Sequence, residues 1–197
     1  LDESEGDPIE RVAALLHDVA KPRTRAFSDK TNDWTFYHHE KVGADMAERW
    51  LREYRFSNHE RDLITGLIRH HLICYTPDWT DAAVRRFIKR VGRDQLAPLL
   101  RLGEADALGK GRNVESELAL LRELRERVDR QLEEGGALTP ADLAIGGHDV
   151  IALLEGGAGP AVGRILRELL DRVIEDPSLN TRDKLMPIAE KLAQAES

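Results

Sequence analysis

Histidine and aspartate recur in this chain in close groups, namely His17-Asp18, His38-His39, His70-His71 and Asp106. Imidazole and carboxylate are ligands for divalent cations, and side chains projected from several helices can converge on one interior point of a bundle. An adjacent His-Asp pair in a distorted last helical turn can bind one ion, or the aspartate can bridge two. Lys21, three residues beyond Asp18, would then sit beside the metal and face an incoming phosphate. A lone His-Asp dipeptide arises often by chance, so the argument rests on the four groups together.

The bland reading differs by position. His38 and His39 could simply cap a helix; of the two, His39 is favoured as a ligand because it begins the helix proper. His71 continues the apolar stripe of Ile64, Leu67 and Ile68, while His70 continues Leu63 and Leu67, so periodicity does not choose between them. Asp106 taken alone would more often be an N-cap. His148-Asp149 repeats the dipeptide, but it follows two glycines at a helix start, where capping accounts for it. His59 reads as surface, and Cys74, with no base or electropositive neighbourhood evident, as core.

The elements that must position these groups are helical. Ile9, Val12, Ala13, Leu16 and Val19 repeat at helical spacing behind Pro8, and Pro22 stops the run, which puts His17-Asp18 in a last turn. Residues 23–35 are polar and read as a long loop. A second helix carries Val42, Met46 and Trp50; a third opens on a capping box at Ser57 and Glu60 and ends near His70-His71. A fourth runs through Val84, Phe87, Ile88 and Val91, capped by Asp78 or Thr80, and a fifth ends in Glu104-Ala-Asp106. A long amphipathic helix at about 115–134 then serves as connector, and further helices follow, the last capped by Asn180 or Thr181. The expected architecture is all-α: a helical bundle over residues 1–112, followed by a smaller helical body and tail over 113–197.

Composition agrees. Of 197 residues, 41% are hydrophobic, 33% charged and only 5% aromatic, which suits helices better than a sheet sandwich. A net charge of −7 argues against a general polyanion binder while leaving room for a local basic face. One cysteine excludes an internal disulfide and any cysteine-rich zinc site. No apolar run approaches the roughly 18 residues of a spanning helix, and the acidic start is unlike a signal peptide, so the expectation is a cytoplasmic protein with no membrane partner.

Several segments resemble the HD domain of bacterial tRNA nucleotidyltransferases (CCA-adding enzymes) and related poly(A) polymerases. They are Leu15-Leu-His17-Asp18-Val-Ala-Lys21-Pro22, Phe36-Tyr-His-His39-Glu40-Lys-Val-Gly43, Arg55-Phe-Ser-Asn58, Ile68-Arg-His70-His71 and Ala105-Asp106-Ala107. The similarity continues through Asp142-Leu-Ala-Ile-Gly-Gly-His-Asp149, Gly159-Pro-Ala-Val-Gly163 and Asn180-Thr-Arg-Asp-Lys-Leu, which look like the RNA-binding body and tail of the same enzymes. Nothing here resembles their N-terminal nucleotidyltransferase head, so the expectation is a fragment of such an enzyme or a headless relative that keeps the hydrolase. HD phosphohydrolases also usually place a further histidine on a helix before the His-Asp pair, and residues 1–16 contain none.

The resemblance implies that His17, Asp18 and Asp106 hold one metal, with Asp18 shared and His39 plus His70 or His71 reaching a second. Asp18 and Lys21 would carry the chemistry: a water of lowered pKa attacks phosphorus while metal and Lys21 neutralise charge on the phosphoryl oxygens. Mg, Mn, Ni and Fe all suit N and O ligands. The implied substrates are nucleotide or RNA phosphoesters, with 2′,3′-cyclic phosphodiesterase, 2′-nucleotidase and phosphatase activity the associated reactions.

Two other functions compete. In a tRNA-binding module with a non-catalytic HD site, Arg85, Arg86, Lys89 and Arg90 would form a basic stripe, extended by Arg93, and the Gly159 to Gly163 segment would offer free N–H groups to a phosphate. Such a stripe is also what an ordinary solvated helix face looks like. The third possibility is a helical scaffold for another protein. Oligomeric state is open.

Overall fold

The computed structural model describes residues 7–154 and 156–196, so the first six residues of the acidic opening lie outside it. In chain order the elements are α1 (Pro8–Leu16), α2 (Lys21–Thr24), β1 (Ala26–Ser28), β2 (Asp33–Thr35), α3 (His39–Glu53), α4 (Asn58–His70), α5 (Asp81–Val91), α6 (Arg93–Lys110), α7 (Val114–Glu133), α8 (Gly147–Ile151), α9 (Pro160–Glu175) and α10 (Arg182–Glu196). Short 3-10 turns lie at Pro140–Asp142 and Pro177–Leu179. The fold is all-α apart from one small hairpin. No helix among the described residues is long and apolar enough to cross a membrane.

Local chemistry explains the boundaries near the histidines. Asp7 caps α1 by accepting from the Ile9 amide at 2.9 Å, and Pro8 occupies its first turn, where no amide hydrogen is needed. The apolar run expected to continue to Val19 stops as a helix at Leu16. Residues 17–20 turn instead, and Pro22 opens the one-turn α2 rather than ending a helix. Ser57 and Glu60 make the reciprocal capping box of α4 that their spacing predicts, at 3.3 and 2.7 Å.

The expected loop at 23–35 is partly ordered. β1 and β2 pair antiparallel with Phe27 opposite Trp34, their rings edge-on at 5.4 Å, and the Arg25 guanidinium lies 3.7 Å from the Trp34 ring centroid. Strands of three residues carry too little alternation to be read in advance.

The chain forms two compact units that are not contiguous in sequence: residues 1–77 with 91–125, and residues 78–90 with 126–197. This departs from a single boundary near 112. The first half of α7 is bound into the first unit by Arg125 to Glu104 at 2.7 Å, by Tyr75 to Glu123 at 2.7 Å and by buried Leu121 and Leu124. In the second unit Arg127 reaches Asp81 at 2.9 Å, which ties α5 to the later half of α7.

Within the first unit α4 is the central element, packed on α1, α3 and α6 through Ile64, Leu67 and Ile68, all fully buried. Burying each such side chain contributes roughly 1.5–3 kcal/mol, which fixes the angle at which α4 presents its C-terminal end. Gly43 of α3 faces this packing: a Cβ there would make ordinary contacts, 3.4 Å from the Ile68 side chain and 3.7 Å from the His17 carbonyl. The second unit is built on α9, whose Ile165, Leu169 and Val173 pack with Val150, Leu185 and Ala189. Asn180 does not cap α10 with its side chain. It accepts from the Ala144 amide at 2.8 Å and donates to the Asp142 carbonyl at 3.0 Å.

Candidate metal centre

Three histidines share one local arrangement. His17 Nδ1 lies 2.8 Å from the Ala14 carbonyl, His39 Nδ1 2.7 Å from that of Phe36, and His71 Nδ1 2.7 Å from that of Ile68. A carbonyl oxygen only accepts, so each Nδ1 carries the hydrogen and each neutral ring presents its Nε2 lone pair. Tethering the far nitrogen in this way orients an imidazole for metal ligation.

The free nitrogens converge on Asp18. His39 Nε2 is 3.3 Å and His71 Nε2 3.8 Å from Asp18 Oδ1, while His17 Nε2 is 3.3 Å from Asp18 Oδ2 and 3.6 Å from Asp106 Oδ1. One ligand atom each from Asp18, His39 and His71 falls within 4.8 Å of the others. Elements of the first unit supply every member: the turn after α1, the start of α3, the end of α4, and α6.

This donor set fits a divalent cation on grounds internal to it. His39 Nε2 and His71 Nε2 face each other at 3.2 Å, with no hydrogen on either when both rings are neutral. His17 Nε2 and Asp18 Oδ1 are buried and lack any hydrogen-bond partner. Inward-pointing acceptors with nothing to accept are costly unless a cation joins them.

The outer carboxylate oxygens are already paired. Lys21 Nζ donates to Asp18 Oδ2 at 2.6 Å, and Lys110 Nζ to Asp106 Oδ2 at 2.7 Å. Burial pushes Asp18 up, but the Lys21 hydrogen bond and the electrostatic influence of the neighbouring His17, Lys21 and His71 outweigh it and hold the carboxyl below its ordinary range. Burial pushes the His71 ring below its ordinary value, only partly offset by the Ile68 carbonyl, which favours the neutral ligand form.

The structure thus brings together His17, Asp18, His39, His71 and Asp106, with Lys21 beside Asp18. His70 falls outside the group, because the burial of Ile64, Leu67 and Ile68 turns the next residue on that face, His71, toward Asp18. His38 is exposed, in a left-handed conformation (φ 64°) ahead of α3. Asp106 lies inside α6 rather than at its end, since the helix runs on to Lys110. Lys110 escaped notice in the sequence, although its spacing of four from Asp106 on one helix was a usable signal. Cys74 is exposed, contrary to its reading as core.

The basic stripe on α5 needs correction. Arg85 is buried and donates to the Ile174 carbonyl and Gln131 Oε1, both at 2.7 Å, so it braces the second unit and is not available to a phosphate. Arg86 pairs with Glu175, Lys89 with Asp171 at 2.5 Å, and Arg90 lies over the Phe87 ring. Gly159 caps α9 in extended backbone, and Gly163 lies one turn into that helix. His148 is exposed, and Asp149 accepts from the Gly146 amide at 2.8 Å and from Arg182 at 2.7 Å, a structural role.

A helical bundle with His-Asp and further histidines at its centre defines the class, and a family model bears on it directly. The chain belongs to the HD domain family, whose model matches residues 4–110. It is 36% identical over 169 residues to an A-adding tRNA nucleotidyltransferase of Deinococcus radiodurans, which covers 85% of this chain and 38% of the relative. It is 37% identical, again over 169 residues, to a CC-adding tRNA nucleotidyltransferase of Thermus thermophilus, covering 85% of this chain and 37% of that protein. A bifunctional uridylyltransferase/uridylyl-removing enzyme of Cupriavidus metallidurans is 34% identical over 104 residues, 50% of this chain and 11% of that protein. The chain therefore spans less than two fifths of the length of these relatives. No solved structure matches it.

Proposed function

We propose that the first unit is a divalent-metal-dependent phosphohydrolase acting on nucleotide or RNA-end phosphoesters, with 2′,3′-cyclic phosphates as the leading substrate class. The observation that carries this reading is the convergence of tethered Nε2 lone pairs on a carboxylate oxygen that has no other partner. Asp18, His39 and His71 would hold the ion, with His17 and Asp106 completing the donor set. A divalent cation bound there supplies Lewis acidity toward phosphoryl oxygens and lowers the pKa of water; Mg, Mn, Ni and Fe all suit these donors.

The side chains set the rest. Lys21, its side chain 39% exposed and its Nζ held at Asp18, neutralises charge that builds on the phosphoryl oxygens. Asp18 fixes the position of that ammonium as well as supplying ligand oxygens. In hydrolysis the water oxygen bonds to phosphorus, the ester oxygen leaves with the electron pair, and a proton passes from water to the leaving oxygen.

Hydrolysis of 2′,3′-cyclic AMP by the chain with added Mn, Ni or Mg tests the proposal, compared with Asp18→Ala and with metal content measured alongside. Turnover lost in the variant supports it. Absence of both turnover and bound metal would sink it.

A second reading is favoured by the relatives, two of them named as tRNA nucleotidyltransferases and matched over most of this chain. Here the chain is the tRNA-binding portion of such an enzyme and the HD site is not catalytic. Salt-dependent tRNA binding that survives chelation, without turnover, would favour it.

A further inference from the structure

Beside the metal centre is a cleft of about 350 Å³ lined by Lys21, Pro22, Arg25, Trp34 and Phe36. We propose that this cleft seats a nucleobase, with Trp34 as the stacking surface, so that the phosphoester presented to the Asp18 group belongs to a nucleotide. The inference rests on the phosphohydrolase reading above and names its substrate subsite.

Two of the lining residues connect the cleft to the centre. Lys21 forms one wall and reaches Asp18 at 2.6 Å, and Phe36, which forms another, takes the Nδ1 hydrogen of His39 on its carbonyl at 2.7 Å. A ligand filling the cleft therefore ends within one side chain of two proposed metal ligands. The cleft's size is at the lower end of the roughly 300–1,000 Å³ usual for small-molecule sites.

The exposed lining is almost wholly apolar, which suits the flat face of a base and leaves the phosphate to the Asp18 group. Trp34 is 47% exposed although it is the largest apolar side chain of the hairpin; Arg25 covers one face of its ring, so a base would stack on the opposite face. Lys21 and Arg25 present mainly their aliphatic stems to the cleft, with the Lys21 ammonium turned to Asp18 and the Arg25 guanidinium laid on Trp34. A second cleft, lined by His71 and Asp106 themselves, carries the carboxylates of Asp106 and Glu117 around Lys110 and would repel an anionic group.

The test is calorimetric titration of the full chain with 2′,3′-cyclic AMP and with ribose 5-phosphate, which has a phosphate but no base. Tryptophan fluorescence is followed in parallel. Wild type is expected to bind the nucleotide more tightly than the sugar phosphate, with quenching that disappears in Trp34→Phe although Trp50 and Trp79 remain. Trp34→Leu should weaken nucleotide binding about 5- to 100-fold, the range of one lost base stack. Unchanged affinity for ribose 5-phosphate in that variant shows the centre intact. Equal affinity of wild type and Trp34→Leu for the nucleotide, or quenching that persists in Trp34→Phe, overturns the proposal. Turnover measured on the same samples separates the two ideas: nucleotide binding through Trp34 with no hydrolysis under any metal leaves the base seat standing and removes the hydrolase, whereas hydrolysis with an unaltered KM in Trp34→Leu does the reverse.

Discussion

His39 and His71 come from different helices and meet Nε2 to Nε2 at 3.2 Å, each with its ring hydrogen turned away to a backbone carbonyl. Two lone pairs at that separation repel unless a proton or a metal ion lies between them. The pair therefore behaves as half of a ligand set, and its partner Asp18 supplies the compensating charge.

Replacing His71 with asparagine should lower Mn or Ni affinity by more than the roughly 10–100-fold expected of losing a mere supporting residue. His70→Asn should leave affinity within a few-fold of wild type, on the order of 0.5 kcal/mol. Equilibrium dialysis of the two variants separates them, and equal losses would contradict the choice of His71.

Lys21→Met should reduce kcat for phosphoester hydrolysis on the order of 100-fold, as removal of a group that stabilises the transition state does. Metal content should hold, because Lys21 touches the outer oxygen of Asp18 and not the inner one. A variant that lost metal along with activity would make Lys21 a structural brace instead.

Stability of the chelated protein should fall as pH drops below neutrality. The unfolded chain carries His71 at its ordinary value of 6.5, while burial holds the folded ring lower. Between those values the unfolded state takes a proton that the folded state refuses, so this contribution is present above 6.5 and is lost as pH falls through the folded value. Urea midpoints measured from about pH 7.5 to about pH 5.5 read this slope, which should flatten in His71→Asn.

Arg85→Ala should cost about 1–3 kcal/mol in the second unit by stranding the Ile174 carbonyl and Gln131 amide oxygen. Arg86→Ala, which removes a surface pair, should cost less than about 1 kcal/mol. Denaturant unfolding measures both, and equal effects would argue that Arg85 is exposed in solution.

The features legible in the sequence are those whose cause is local. The Ser57-Glu60 box depends on three residues of separation, and α1 on a proline and an apolar repeat, so both could be read directly. Choosing between His70 and His71 required the rotation of α4 about its axis, which is set by how Ile64, Leu67 and Ile68 pack on neighbouring helices. Arg85 was misread for the same kind of reason. It shares a face with buried Ile88, three residues on, yet its place among four other basic residues suggested solvent. The hairpin could not be foreseen from strands of three residues, and with it went the exposed Trp34. The lack of a base or electropositive neighbourhood says that Cys74 is unreactive but not which way it faces, and the segment after α4 carries it to the surface.

The path of the chain between its units limits how the protein can be taken apart. The polypeptide leaves the first unit after Pro77, rejoins it at Val91 and leaves for good after Arg125, so no single cut yields either unit whole. Truncation after residue 112 would keep α5 but discard the residues that Arg85 binds, leaving a buried guanidinium and the apolar side chains of Val84, Phe87 and Ile88 without their cover. Isolating the metal centre would call for replacing residues 78–90 with a short linker. A single contiguous deletion that removes the whole of one unit also removes a part of the other, so one recombination event cannot exchange either unit cleanly.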